Sequence, residues 1–383
     1  MKELLSQYQQ LAAASMDEAT ALPFATYCND DIFKLEADKI FSKEWVFACA
    51  EQAIANPGDY FSFNLAGEAI AIVRGQDGEL RAMSNNCRHR GTPLLDEGFG
   101  HVGRNIICPY HAWTYDDKGA LKGAPHTGSI RIDKEKHCLP QFQLQIWSGL
   151  LFINLDDKAP PLSQRLRGID NYTAIFEPQR FDSYSGGNLE HWDANWKLAM
   201  ENAAEGYHVF KVHKETLETV GPTKTAYYVA GSAEWTITGG ESVDNSSKLM
   251  KWFRGGYPEA YSHYLTIILP PSFVAILSYD SLSWIQMLPD GADKSVIRSG
   301  AIFPKSMFKE DKQSKAFTEA FFAEDKWICE RAQRGMQSKL GKGGKLVELE
   351  KSVVDFHQYL ASRLFGENVD EFIEGDNAKI FKE

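Results

Sequence analysis

The chain has 383 residues, with 52 Asp and Glu against 41 Lys and Arg, giving a net charge of −11. That balance argues against nucleic acid or an anionic membrane as the main partner. A hydrophobic share of 43% with 12% aromatics indicates a folded protein long enough for two domains, and excludes a disordered chain. No apolar run of about twenty residues and no signal-peptide pattern stands in it, so a soluble cytoplasmic protein is expected. Six cysteines are too few and too scattered for a disulfide framework.

Residues 1–20 read as an amphipathic helix, followed by an extended segment around Pro23. From about 38 to 156 the pattern is one of short strands. Tyr60 to Leu65 and Ile70 to Arg74 precede Asp77-Gly78, a hairpin signal. Inside this region stands Cys87-x-His89 and, after a gap of 18 residues, Cys108-x-x-His111. A zinc finger puts both cysteines in one half and both histidines in the other. Here each half brings one Cys and one His, which suits a Rieske [2Fe–2S] cluster, with two thiolates on one iron and two imidazoles on the other. Gly91-Thr92-Pro93 and Pro109-Tyr110 read as two tight loops around it. Leu150 to Leu155 is a buried strand closing the region, and Asp156 to Pro161 is a linker by composition.

A strand near 185–192 feeds a second constellation. Residues 195–213, N-W-K-L-A-M-E-N-A-A-E-G-Y-H-V-F-K-V-H, are helix-compatible, with Glu201, Glu205, His208 and His213 within about three turns. Two such histidines plus a carboxylate from elsewhere form the facial triad of a non-haem Fe(II) oxygenase. Residues 225–238 and 264–303 alternate as strands, with turns at Pro270-Pro271 and Pro289-Asp290-Gly291. Residues 310–340 and 345–365 read as helices. The fold class is α+β: an all-β cluster domain plus a helix-grip-like domain with antiparallel sheet and helices.

With these motifs in place, the chain resembles the oxygenase component of Rieske non-haem iron oxygenases over nearly its whole length. The resemblance runs from Leu22, Pro23 and Tyr27 through Phe41 to Trp45, the cluster pair, the N-W-K and E-N-x-x-E-x-Y-H block, and a late acidic helix. It implies an N-terminal segment over 1–37 packing with the catalytic domain, a cluster domain over 38–156 and a catalytic domain over 157–383. It also implies Asp325 as the third iron ligand, with Glu324 and Glu330 as rivals one alignment slip away. By the same resemblance Glu205 is the catalytic bridging acid, joining His208 to His111 of a neighbouring subunit in a head-to-tail homotrimer. Electrons come from NAD(P)H through a separate flavin and iron–sulfur reductase, because the chain has no dinucleotide fingerprint of its own. Two departures stand out. The gap between the cluster halves is slightly long, which an extra residue in the Gly98–Gly103 loop would absorb. Position 205 is Glu where most ring-hydroxylating members have Asp.

That Glu resembles the branch acting on quaternary ammonium compounds: carnitine, choline, glycine betaine and proline betaine. The resulting expectation is an O₂-dependent monooxygenase that hydroxylates a carbon next to a quaternary nitrogen and so cleaves C–N, or oxidises choline. The alternatives are an aromatic ring-hydroxylating alpha subunit and a Rieske electron-transfer protein without oxygen chemistry. Candidate pocket residues are Tyr207, Phe210, His263, Tyr264, Phe273 and Trp284, with Trp252, Phe253, Tyr257, Tyr261 and Tyr279 further aromatics near the sheet.

Overall fold

The structure is a computed structural model describing residues 1–242, 258–305, 312–369 and 371–382. It divides into two compact units: Phe41–Leu162, and a discontinuous unit made of Met1–Ile40 and Ser163–Glu383. The fold is mixed α+β, as the sequence pattern predicts.

The inserted unit is all β. Its strands are β1 (Val46–Ala50), β2 (Asp59–Leu65), β3 (Glu68–Arg74), β4 (Leu80–Ser84), β5 (Gly98–His101), β6 (Asn105–Ile107), β7 (Thr114–Asp116), β8 (Leu121–Gly123), β9 (Gln141–Trp147) and β10 (Leu150–Asn154). They form a seven-stranded sheet in the order β1-β10-β9-β4-β3-β2-β5 and a three-stranded sheet β6-β7-β8. The hairpin at Asp77-Gly78 joins β3 to β4, with Arg74 opposite Leu80. Gly78 takes φ +83°, a conformation that favours glycine. The Gly98–Gly103 segment is not a slack loop. Its first four residues are β5, pairing with Asp59–Ser62 at the sheet edge.

The discontinuous unit holds helices α1 (Lys2–Ala12), α2 (Asp30–Glu36), α3 (Trp196–Ala204), α4 (Val209–Val212), α5 (Lys312–Met336) and α6 (Lys351–Phe365). Its strands are β11 (Ser183–Trp192), β12 (Tyr227–Gly231), β13 (Thr236–Glu241), β14 (His263–Leu269), β15 (Phe273–Leu277), β16 (Leu282–Pro289), β17 (Ser295–Phe303) and β18 (Ile373–Glu374). These make one antiparallel sheet, ordered β11-β17-β16-β15-β14-β13-β12-β18. Among the described residues no helix is long and apolar enough to cross a membrane.

The N-W-K stretch shows why α3 sits where it does. Asn195 caps the helix, its side chain accepting from the Lys197 amide. Trp196 Nε1 donates to Glu36 Oε2 at 2.8 Å, and Lys197 Nζ lies 2.8 Å from Glu36 Oε1. Lys197 also donates to the Thr26 carbonyl, and Tyr8 OH to Glu36. Lys197 and Glu36 are fully buried. A buried ion pair persists only when its remaining donors and acceptors are answered, as they are here.

Candidate metal centres

Cys87 and Cys108 head two loops of the same construction. In the first, Cys87 N–H donates to the Thr92 carbonyl and Gly91 N–H to the Cys87 carbonyl. In the second, Cys108 N–H donates to the Trp113 carbonyl and Ala112 N–H to the Cys108 carbonyl. The fourth residue after each Cys has positive φ, +73° at Gly91 and +55° at Ala112. Both thiols are buried in the unit's core, while His89 and His111 are exposed. The His89 and His111 rings lie 4.7 Å apart, and His89 stacks on Trp113. Two buried sulfurs facing two rim imidazoles fit a cluster with one sulfur-held iron inside and one nitrogen-held iron at the surface. Tyr115 OH lies 3.4 Å from Cys87 Sγ, and burial together with that sulfur raises its pKa, so the phenol stays protonated and is the donor to Cys87 as a cluster-bound thiolate. Cys28, Cys49, Cys138 and Cys329 are not joined in disulfides.

The second centre lies on three separate elements of the other unit. The helix-compatible stretch 195–213 is not one continuous helix: α3 ends at Ala204, Glu205 is extended, and His208 stands before the single turn of α4. The Glu205 carboxylate accepts from the backbone amides of Tyr207 and His208, giving this segment an alternative to helix. Its other oxygen lies 2.6 Å from His208 Nδ1.

His208, His213 and Asp325 bring one ligand atom each within 4.8 Å of one another. His213 Nε2 is 2.9 Å and His208 Nε2 3.6 Å from Asp325 Oδ1. Asn202 Nδ2 donates to the same oxygen at 2.7 Å, which explains the E-N pair on α3. Glu201 accepts from Tyr27 OH and meets His357 Nε2 at 3.0 Å. The carboxylate that faces both imidazoles is therefore Asp325. Glu324 instead lies 2.8 Å from His213 Nδ1, and Glu330 accepts from the Asp193 amide.

Electrostatics make this pocket a cation site. Burial opposes a proton on His208, yet Asp325 and Glu205 raise it to about 10. Burial likewise opposes a proton on His213, and Asp325 and Glu324 overcome it. Burial disfavours ionised Asp325, but the two imidazoles hold it down to about 2. Two imidazoles that retain protons beside an ionised carboxylate, in the absence of other positive charge, fit a divalent metal.

A cavity of about 1180 Å³ is lined by these residues and by the sheet. Of the predicted pocket residues, Tyr264 and Trp284 line it. Tyr264 pairs with Gly240 across the ladder and Trp284 with Gly300. A Cβ on Gly240 would lie 2.6 Å from the Tyr264 oxygen, and one on Gly300 2.5 Å from the indole. Glycine is needed at both positions for the ring to lie over the strand. Tyr227, Tyr228, Phe321 and Phe322 also line the cavity and escaped sequence reasoning.

The other pocket candidates fall elsewhere. Tyr207 and Phe210 are exposed, Phe273 is in the core, and His263 Nδ1 is 3.1 Å from the Glu259 carbonyl at the start of β14. Their period on the chain gave the wrong face, because the segment carrying Tyr207 and Phe210 is not one continuous helix. The Tyr261 and Tyr279 rings lie 3.9 Å apart, tilted by 44°, and neither residue is among those lining the cavity. Trp252, Phe253 and Tyr257 lie outside the described residues.

Residues 44–143 match the family model of the Rieske [2Fe-2S] domain, and residues 180–366 that of the ring hydroxylating alpha subunit catalytic domain. The chain is a Rieske oxygenase alpha subunit. It holds both a Rieske cluster domain and a catalytic domain with a His-His-Asp iron group, and it is an oxidoreductase. The oxygenase is 27% identical over 359 residues to the carnitine monooxygenase oxygenase subunit of Acinetobacter baumannii, covering 90% of this chain and 93% of the relative. It is 34% identical over 200 residues to the glycine betaine monooxygenase oxygenase subunit of Chromohalobacter salexigens, covering 52% of this chain and 44% of the relative. A solved quaternary ammonium Rieske monooxygenase with an inhibitor bound shares the fold, with TM-score 0.79 and 24% identity over 93% of this chain and 98% of that one. As the oxygenase subunit of a multicomponent system, it needs a reductase partner.

Proposed function

We propose that this oxygenase is a monooxygenase that hydroxylates a carbon bonded to a quaternary ammonium nitrogen. The hydroxylated product then loses its C–N bond and releases an aldehyde; with choline the hydroxylation falls instead on the carbinol carbon, one removed from nitrogen, and the resulting gem-diol loses water to give betaine aldehyde with C–N intact. The cavity lining carries this reading. A quaternary ammonium ion can neither donate a hydrogen bond nor lose its charge, so aromatic faces and carboxylates are what can hold it. The lining offers Tyr227, Tyr228, Tyr264, Trp284 and Phe321 around the His-His-Asp group. It also offers Glu319, Glu348, Glu374 and Asp376 against two cations, Lys315 and Lys351. The carnitine and glycine betaine relatives, together with Glu205, point the same way.

When bound, iron at His208, His213 and Asp325 supplies dioxygen activation, and the cluster held by Cys87, His89, Cys108 and His111 supplies single electrons. The protein's own part is to position. Asn202 holds Asp325 in place, while Glu205 orients His208. The aromatic lining presents the carbon beside the cation to the iron position. In this reading Glu205 also meets His111 of a neighbouring subunit in a homotrimer, and a separate flavin and iron–sulfur protein delivers electrons from NAD(P)H.

A single-turnover reaction tests the assignment. The iron-loaded protein, reduced without oxygen, is mixed with O₂ and carnitine, choline, glycine betaine, proline betaine or aromatic acids, and products are read by mass spectrometry. A dealkylated amine with an aldehyde, or betaine aldehyde from choline, supports it. A cis-diol or phenol from an aromatic acid moves the protein to ring hydroxylation.

A further inference from the structure

The two iron-site imidazoles are backed in different ways. His208 Nδ1 meets Glu205, three residues away in its own loop. His213 Nδ1 meets Glu324, 111 residues away on α5. Glu324 directly precedes Asp325, whose Oδ1 lies at the other nitrogen of the same ring. Consecutive helical residues diverge by about 100°, which lets two neighbours on α5 reach opposite ends of one imidazole. Thr216 Oγ1 donates to the same Glu324 oxygen at 2.6 Å and holds it in place. The His213 side chain is 1% exposed, so water is poorly placed to replace this acceptor, whereas the Glu324 side chain is 30% exposed and carries its charge in partial contact with solvent.

We propose that Glu324 is a positioning residue for the iron site: its carboxylate keeps the proton of neutral His213 on Nδ1 and so leaves the Nε2 lone pair for the metal. A neutral imidazole has one N–H, and the acceptor beside one nitrogen decides which tautomer forms. An anionic acceptor also makes the ring a stronger donor. Glu324 is therefore not a fourth ligand. It stands at Nδ1, away from the nitrogen that faces Asp325, and α5 fixes His213 from both ends.

This inference rests on His208, His213 and Asp325 being the iron ligands, so the test carries controls for that reading. The full-length protein, with its cluster intact and its mononuclear iron removed, is titrated anaerobically with Fe(II) against a fluorescent chelator. Glu324→Ala is expected to weaken Fe(II) binding about 10–100-fold. Glu324→Gln, which keeps an acceptor but no charge, should weaken it by less, and Thr216→Val by less again. Co(II) loaded in place of iron should show shifted ligand-field bands in Glu324→Gln, with the melting point of the metal-free protein unchanged. A role in packing alone would not move those bands. If Glu324→Ala binds Fe(II) as tightly as the parent while His213→Ala and Asp325→Ala do not, the inference is overturned. If those two controls also keep Fe(II), it is the ligand assignment that falls. Should Glu324→Ala not fold, unshifted Co(II) bands in Glu324→Gln overturn the inference on their own.

Discussion

Removing Lys197 from beneath the iron-bearing segment should destabilise the discontinuous unit far more than a surface charge would. Lys197 Nζ and Glu36 Oε1 lie 2.8 Å apart with both side chains fully buried. At that distance and an effective dielectric of about 20, the gross attraction is about 6 kcal/mol. Desolvating two ions costs several kcal/mol each, so the intact pair adds little net stability. Lys197→Met discards the attraction and leaves the Glu36 carboxylate buried with only Trp196 Nε1 and Tyr8 OH as donors. The expected cost is about 3–5 kcal/mol. At roughly 2–4 °C per kcal/mol for a domain of this size, the unfolding midpoint should fall by about 6–20 °C. Glu36→Gln should cost a similar amount, since it leaves the buried ammonium with no counter-charge, only the Thr26 carbonyl, an amide oxygen and the Tyr27 and Trp196 rings. The double variant should recover most of the loss, because neither charge is then buried. Calorimetry of the metal-loaded parent, the two single variants and the double variant closes the cycle. Single costs below 1 kcal/mol, or a double variant no better than the sum of the singles, would refute the reasoning.

Four further outcomes are expected. Glu205→Gln keeps an acceptor beside His208 Nδ1 but loses the charge, so both metals should stay while turnover falls at least tenfold; full turnover with a reducible cluster removes Glu205 from the electron route. Tyr115→Phe removes the donor at Cys87 Sγ, which stabilises the more negative reduced cluster, so the potential should drop by about 40 mV for a bond worth about 1 kcal/mol, and an unchanged redox titration refutes it. Gly300→Ala should displace Trp284 and raise KM for a quaternary ammonium substrate about 2–30-fold, the range of one cation–π contact, with no such effect on a neutral analogue. Fe(II) uptake should release protons, because His208 carries one up to a pKa of about 10 in the metal-free protein and must lose it to bind. Apparent affinity therefore rises with pH from 6 to 8, and binding heats independent of the buffer's ionisation enthalpy count against it.

Much of the site was legible because its chemistry is local in sequence. Cys87-x-His89 and Cys108-x-x-His111 each sit in one tight turn, so spacing and geometry are nearly the same information. The strand pattern and both late helices are likewise readable from period and breakers. Contacts over long separations are not. Nothing near residue 36 announces that its carboxylate will meet Trp196 and Lys197, and nothing in E-N reveals that Asn202 reaches Asp325. The choice among Glu324, Asp325 and Glu330 depends on helix phase, where a single residue turns a ligand into a neighbour of the opposite ring nitrogen. The break after Ala204 was hidden because Gly206 alone is tolerated in a helix, and the competing acceptor, the Glu205 side chain, shows only in three dimensions. Tyr207 and Phe210 were misplaced for that reason. The cavity's aromatic positions follow from cross-strand glycines, which a one-dimensional reading cannot pair.

The division of one unit by another has a consequence for biosynthesis. Glu36 leaves the ribosome 160 residues ahead of Trp196, with the whole of Phe41–Leu162 made in between. At about 5–20 residues per second, that is a wait of about 8–30 s. For that time the first forty residues carry a carboxylate and an amphipathic helix whose partners do not yet exist, while the β unit behind them can already complete its sheet. Assembly of the nascent chain is thus expected to proceed from the middle outward. Ribosome-bound chains that end before residue 196 should be trimmed at their N-terminus by protease back to a resistant fragment near residue 41, and chains carrying the full C-terminal half should resist.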